Sequence, residues 1–201
     1  SKSSVSEMTE VLWQEYEAFS QRDLSEIEVE YLFVDAVYES LRPHKSPKEG
    51  ILVVWGILSS GVKILLAMEL GNKESYDDWL QVYRNLKKRG LNDPVLGTSD
   101  GAPGLIKAFE EAFSKTLRQR CLVHKKRNIL HKVPQEAVPE VKIYLNAVYF
   151  APDKQSALIQ AKAVRDRFGR LYPSAVASFE YDLDPCLAHM ACPTMHRRYI
   201  T

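Results

Sequence analysis

Two aspartates stand where a carboxylate without a task would be costly. Asp35 interrupts the apolar run Tyr31-Leu32-Phe33-Val34-Asp35-Ala36-Val37-Tyr38, and Asp100 closes a second, Pro94-Val95-Leu96-Gly97-Thr98-Ser99-Asp100. A carboxylate carried into an interior must be paired, protonated or bound to a metal, because desolvating it alone is expensive. Two acids on separate strands of one sheet can converge on a divalent cation. Mg²⁺ is commonly held by one or two carboxylates together with substrate phosphate, so the chemistry open to this pair is metal-assisted phosphoryl transfer. Each acid also has a plainer reading. Asp100 could cap a helix opening at Ala102-Pro103-Gly104, and Asp35 could pair with a Lys or Arg.

The second constellation is Gln119-Arg120-Cys121-Leu122-Val123-His124-Lys125-Lys126-Arg127-Asn128. Cys121 and His124 have the C-x-x-H spacing of a metal half-site, repeated at Cys186 and His189, so a structural zinc assembled from both pairs stays open. Around the first pair, residues 117 to 133 hold six Lys or Arg (Arg118, Arg120, Lys125, Lys126, Arg127, Lys132) and no acid. Such a run suits contact with a phosphate backbone, which is independent of base sequence; a solvated helix face is the bland alternative. Arg197 and Arg198 could also touch nucleic acid. No nucleophile elbow, Walker A loop or dinucleotide fingerprint occurs.

The elements that must position these groups emerge from periodicity. Val5, Met8, Leu12, Tyr16 and Phe19 predict a helix over 4–20, and residues 31–41 read as a central strand with both faces apolar. Ile51 to Leu58, a Ser59-Ser60-Gly61 turn and Val62 to Leu70 form a hairpin after Pro43 and Pro47. Capping residues over Asn72 to Tyr76 precede a helix bearing Trp79, Leu80, Tyr83 and Leu86, stopped at Gly90. A strand ends at Asp100, a helix opens at Pro103, Leu117 to Val123 is the last strand, and a basic helix starts at His124. From Pro134 helices dominate, over 136–150 and 153–171. This order predicts an α/β protein with a mixed sheet flanked by helices: a helical lead-in over 1–30, a core over 31–133 and a helical part over 134–201.

Composition narrows the setting. The 201 residues carry a net charge of +1, so overall charge names no partner, yet residues 7 to 30 hold eight acids against one basic residue, Arg22. Three cysteines in no disulfide pattern suit a reducing compartment, and no apolar run is long enough for a membrane span. The chain opens on Ser and has the look of a piece of a longer protein.

Taken together, Tyr31 to Tyr38, Ser99-Asp100-Gly101-Ala102-Pro103-Gly104-Leu105 and the Gln119 to Asn128 segment resemble the mutator-type transposases of bacterial insertion sequences, with Tyr172-Pro173 and Arg197-Arg198-Tyr199-Ile200-Thr201 as later landmarks. The resemblance implies a ribonuclease-H-like core with an all-helical insertion toward the C-terminus, and a DDE triad binding two Mg²⁺ (or Mn²⁺) ions. Asp35 and Asp100 match the first two acids, and Cys121 and His124 match an accessory motif, which favours a structural or DNA-positioning role for them over zinc. Arg118, Arg120, Lys125, Lys126, Arg127 and Asn128 would meet DNA. The resemblance also implies a third acid, a glutamate, just beyond the arginine-rich motif that ends here at Thr201; Glu180 is the nearest glutamate upstream, and its surroundings do not match. The resemblance thus implies a truncated core, inactive alone, of an enzyme that hydrolyses and transfers strands during DNA transposition. Its partners would be transposon ends, target DNA and further copies of itself, and its setting the bacterial cytoplasm and nucleoid. A non-catalytic DNA-binding or dimerising fragment is the alternative.

Overall fold

The computed structural model describes residues 2–39, 49–71 and 75–201. Five strands form one mixed sheet: β1 (Val29–Glu39), β2 (Glu49–Leu58), β3 (Lys63–Gly71), β4 (Leu96–Ser99) and β5 (Leu117–Arg120), in the order β3-β2-β1-β4-β5. β2 runs antiparallel to both β1 and β3, whereas β1, β4 and β5 are parallel. Consecutive strands joined by a tight turn must pair antiparallel, and here Gly61 supplies the positive φ (82°) that the β2–β3 turn requires. Parallel neighbours need crossovers, and helices α2 (Tyr76–Lys88) and α3 (Pro103–Ala112) serve as those crossovers.

The helices build one face. α2 opens on a capping box between Ser75 and Asp78 and buries Trp79, Leu80, Val82, Tyr83 and Leu86. With Leu105 and Phe109 of α3 they close over Leu32, Val34, Leu52 and Val54. The approach is tight at β4, where a Cβ on Gly97 would run into the Phe109 ring. Asn72, Lys73 and Glu74 of the expected cap, and the Pro43–Pro47 segment, lie outside the described residues.

α4 (Leu122–Leu130), α5 (Val138–Tyr149), α6 (Lys154–Phe168) and α7 (Pro173–Glu180) gather a second apolar cluster, with Ile129, Leu145, Val148, Val164, Phe168 and Phe179 buried in it. The chain then returns through α8 (Leu183–Cys186) and α9 (Thr194–Arg197) to the other face of the sheet, where Cys192 and Ile200 pack on Tyr31 and Leu96. Thr98 Oγ1 donates to the Ile200 carbonyl at 2.7 Å, fixing this return on β4. α1 (Lys2–Gln21) forms as its periodicity predicts, but Val5, Met8 and Leu12 lie open to solvent. Its packed end is near Tyr16, whose hydroxyl donates to the Met68 carbonyl and the Glu69 carboxylate.

One buried side chain ties the sheet to the helical part. Gln119 of β5 is fully buried; its Oε1 accepts from the His189 backbone N–H at 2.8 Å, and its Nε2 donates to the Arg120 and Cys186 carbonyls. The His189 ring spans the same seam, with Nδ1 3.1 Å from Gln119 Oε1 and Nε2 3.1 Å from the Tyr149 carbonyl. Burial pushes its pKa below the ordinary imidazole range, outweighing the Tyr149 carbonyl, which favours the charged form. An unfolded histidine protonates near pH ~6.5 while folded His189 resists. Its contribution is therefore present above that pH and is lost as pH falls through the folded value. Urea unfolding between pH 7.5 and 5 should lose up to about 1.4 kcal/mol per pH unit through this group, with a smaller slope in His189→Gln. An identical slope in the variant would remove His189 as the origin.

Candidate active site at the carboxyl ends of the parallel strands

The β1–β4 ladder pairs Tyr31 with Leu96 and ends with Val34 beside Ser99. Asp35 and Asp100 are the residues that follow this last pair, and one further step in the same register would set them side by side. Side chains alternate along a strand, so Asp35 shares a face with Tyr31 and Phe33, and Asp100 with Leu96 and Thr98. Tyr31 and Leu96 both pack on the returning C-terminal segment, the face to which Asp35 belongs and to which alternation continued past Ser99 would turn Asp100. Adjacent strands are about 4.8 Å apart, within the span of two carboxylates sharing one ion.

Asp35 is exposed, which corrects the expectation of a buried acid. β4 ends at Ser99, level with Val34, and the last residues of β1 therefore run on beyond this neighbour. Asp35 Oδ1 accepts from the Ala36 backbone N–H at 3.0 Å, and Asp35 has no ion pair among the described residues. Asp100 is half-buried. It does not cap α3, whose N-cap is Ala102; its Oδ1 accepts the Ala102 backbone N–H at 3.0 Å across a tight turn. In both, a backbone N–H fixes one oxygen and leaves the other without a partner among the described residues. Two hard oxygen donors on one edge fit a divalent cation completed by substrate phosphate. No group of three or more His, Cys, Asp or Glu side chains assembles among the described residues. Glu180 belongs elsewhere, facing Arg165 at 3.4 Å on α7.

The C-x-x-H motif adjoins this edge. β5 is shorter than the predicted Leu117–Val123 strand: it stops at Arg120, and Cys121 is already the N-cap of α4. The Cys121 backbone N–H donates to the Ser99 carbonyl at 2.8 Å, so α4 begins one residue from Asp100. His124 lies in its first turn, with Nδ1 buried and unpartnered. The zinc set does not form: Cys186 is buried at the seam, where its thiol is pushed up to about 11 by burial, and both His189 ring nitrogens face protein oxygens.

The basic run divides in a way its composition does not indicate. Arg118 bridges Glu110 and Asp182, at 3.0 Å each, with only 11% of its side chain exposed. Arg120 is 6% exposed; its guanidinium covers Gly101, and Nη1 has no hydrogen-bond partner. Lys125 is 2% exposed and donates to the Tyr181 carbonyl, and burial lowers its pKa. These three are interior cations, a correction to their reading as surface contacts to DNA. Lys126 is half-buried, and Arg127 and Asn128 are exposed, so of the expected DNA-binding residues these three reach the solvent. Arg197 is likewise occupied, donating to the Cys192, Pro152 and Met190 carbonyls, while Arg198 lies over the Tyr199 ring. Gln119 stands in the motif without a role in the sequence, and only its complete burial identifies it as the seam. The packing beneath this edge is testable: Gly97→Ala, whose added methyl meets the buried Phe109 ring, should destabilise the chain by about 1–3 kcal/mol in urea, whereas Val123→Ala on the exposed face of α4 should cost under about 0.5 kcal/mol.

Comparison with known proteins agrees with the sequence motifs. The family model described as "Transposase, Mutator family" matches residues 1–201. The transposase for insertion sequence element IS6120 of Mycolicibacterium smegmatis is 37% identical over 196 residues, 98% of this chain and 60% of the relative. The transposase for insertion sequence element IST2 of Acidithiobacillus ferrooxidans is 35% identical over 157 residues, 78% of this chain and 53% of its own length. A third, the transposase for insertion sequence element IS1081 of Mycobacterium tuberculosis, is 29% identical over 202 residues, 100% of this chain and 48% of the relative. The chain thus spans about half, and at most 60%, of the length of these relatives. With the family model matching from end to end, the chain belongs to the mutator family of transposases.

Proposed function

We propose that this chain is the catalytic core of a DDE-type transposase of ribonuclease-H-like build, in which Asp35 and Asp100 hold Mg²⁺ or Mn²⁺ against a DNA phosphate. The observation that supports the proposal is the β1–β4 register, whose last pair, Val34 and Ser99, immediately precedes the two acids in both strands. The sheet order β3-β2-β1-β4-β5, with β2 alone antiparallel, supports the ribonuclease-H-like build. The family model is described as a transposase, which supports DNA as the substrate.

A divalent cation at this edge would supply Lewis-acid stabilisation of the charge that develops on the reacting phosphate. The chain's own part is positional. The backbone N–H groups of Ala36 and Ala102 hold the two carboxylates toward the incoming phosphate. Lys126, Arg127 and Asn128 bring hydrogen-bond donors to the DNA backbone beside the edge, a contact that salt weakens. Phosphodiester hydrolysis at a transposon end, and attack of the freed 3′-hydroxyl on target DNA, are both in-line displacements that need this alignment. In a longer chain a third acid following Thr201 would leave from Ile200, whose carbonyl is bonded to Thr98, two residues before Asp100 on the same face.

A second reading has its own support. Only two of the three expected acids lie at this edge among the described residues, and a DNA-binding fragment without catalysis needs no more. Metal binding separates the two. We expect Mn²⁺ to raise the stability of the chain by about 1.4 kcal/mol at tenfold its dissociation constant, growing with the logarithm of its concentration beyond that. That gain should vanish in Asp35→Asn and in Asp100→Asn, which keep their shape. A gain that survives both substitutions would remove the two aspartates as the metal site.

A further inference from the structure

A lone exposed phenylalanine ordinarily needs no explanation. Phe150 differs from one in three respects. It is 56% exposed at the C-cap of α5, yet the backbone on either side is clamped. Just before it, Tyr149 is fully buried and its carbonyl faces His189 Nε2 at 3.1 Å. Just after it, the Pro152 carbonyl accepts from Arg197 Nη1 at 2.8 Å. A fold that pins an apolar ring at a fixed place in solvent has built a platform.

The second respect is the cation beside the ring. Lys126 Nζ lies 5.1 Å from the Phe150 ring centre and 3.3 Å from Asn146 Oδ1, so the amine is held against the aromatic face. Burial chiefly lowers its pKa, and the nearby Lys142, which adds to the shift, gives a local surplus of positive charge. Exposed Arg127 on α4 and Lys132 just beyond it add to that surplus. This surface suits a polyanion.

The third is position. Lys126 lies five residues along α4 from Cys121, roughly 7.5 Å of helix rise, and Cys121 is bonded to Ser99 beside Asp100. A strand held at the two carboxylates passes this platform within a few nucleotides.

We propose that Phe150 is a stacking platform for an unpaired DNA base flanking the reacting phosphate, with Lys126 and Arg127 on the adjoining backbone. A nucleobase has the flat apolar face that an exposed aromatic ring accepts, and its phosphate has the charge that the lysine answers. The proposal rests on the DNA-processing reading of this chain and adds a preference within it, for a strand whose bases are unstacked next to the duplex. Phe150 is then a binding residue apart from the carboxylates.

The test is fluorescence anisotropy of the whole 201-residue chain with two labelled DNAs, a blunt duplex and the same duplex with a single-stranded tail. Wild type should bind the tailed DNA more tightly. Phe150→Ala and Phe150→Leu should each lose about tenfold in affinity for the tailed DNA and little for the blunt duplex; Phe150→Trp should retain the preference. The leucine variant keeps an apolar side chain at this position and guards against a folding artefact. A 5-iodouracil in the tail should photo-crosslink to the peptide containing Phe150. Unchanged tailed-DNA affinity in both variants, with DNA binding otherwise intact, would overturn the platform alone. Failure of the wild-type chain to bind either DNA would overturn the DNA-processing reading and the platform with it.

Discussion

The parallel pairing of β1, β4 and β5 is the constraint on which the rest depends. The β1–β4 and β4–β5 ladders end together, at Val34, Ser99 and Arg120, so the next residue of each strand emerges on one edge. Those three residues are Asp35, Asp100 and Cys121. A slip of one residue in β1 would turn Asp35 to the opposite face, where Leu32 and Val34 now meet α2 and α3, and would break the core as well as the site. The core therefore enforces the geometry of the edge. Burial of Leu32 and Val34 on one side, and of Tyr31 on the other, selects the register in which β1 and β4 end together just before the two acids.

Much of this is legible in the sequence because the signals are local. Apolar runs mark the strands, Gly61 the hairpin, Gly90 the end of α2 and Pro103 the start of α3. The pairing order is not, since parallel strands carry no sequence mark of their neighbours. The exposure of Asp35 escapes the sequence for a related reason. An apolar run tells that a strand is covered, but not how far along it the cover extends, and β4 stops one residue short. Likewise the periodicity of α1 reports a helix with an apolar side and says nothing of what lies against Val5, Met8 and Leu12.

The basic segment shows the same limit from the other direction. Charge counted along 117–133 suggests one cationic surface, yet the chain changes from strand to helix at Cys121, and the change sends several of these residues inward. Arg118 meets Asp182, which contributes from 64 positions away, and Lys125 meets the carbonyl of Tyr181. Partners so distant in sequence cannot be inferred from a local run. Buried cations are tolerable when charges or carbonyls answer them, and here those answers come from the turn between α7 and α8. The interior cations bind the helical part to the end of β5.

That attachment explains why an edge made by three strands needs the helices beyond it. Gln119 is bonded on one side to its own strand and on the other to Cys186 and His189, so β5 cannot move without the helical part. Ile200 is bonded to Thr98, so the returning segment is fixed to β4 as well. Both attachments lie within two residues of the strand ends. On the proposed function, carboxylates on a mobile edge would gain little, because misplacement by about 1 Å can cost 10²-fold in rate. Tying the strand ends to buried amide and carbonyl groups makes that placement insensitive to salt, whereas the proposed DNA contact beside it would weaken as salt rises.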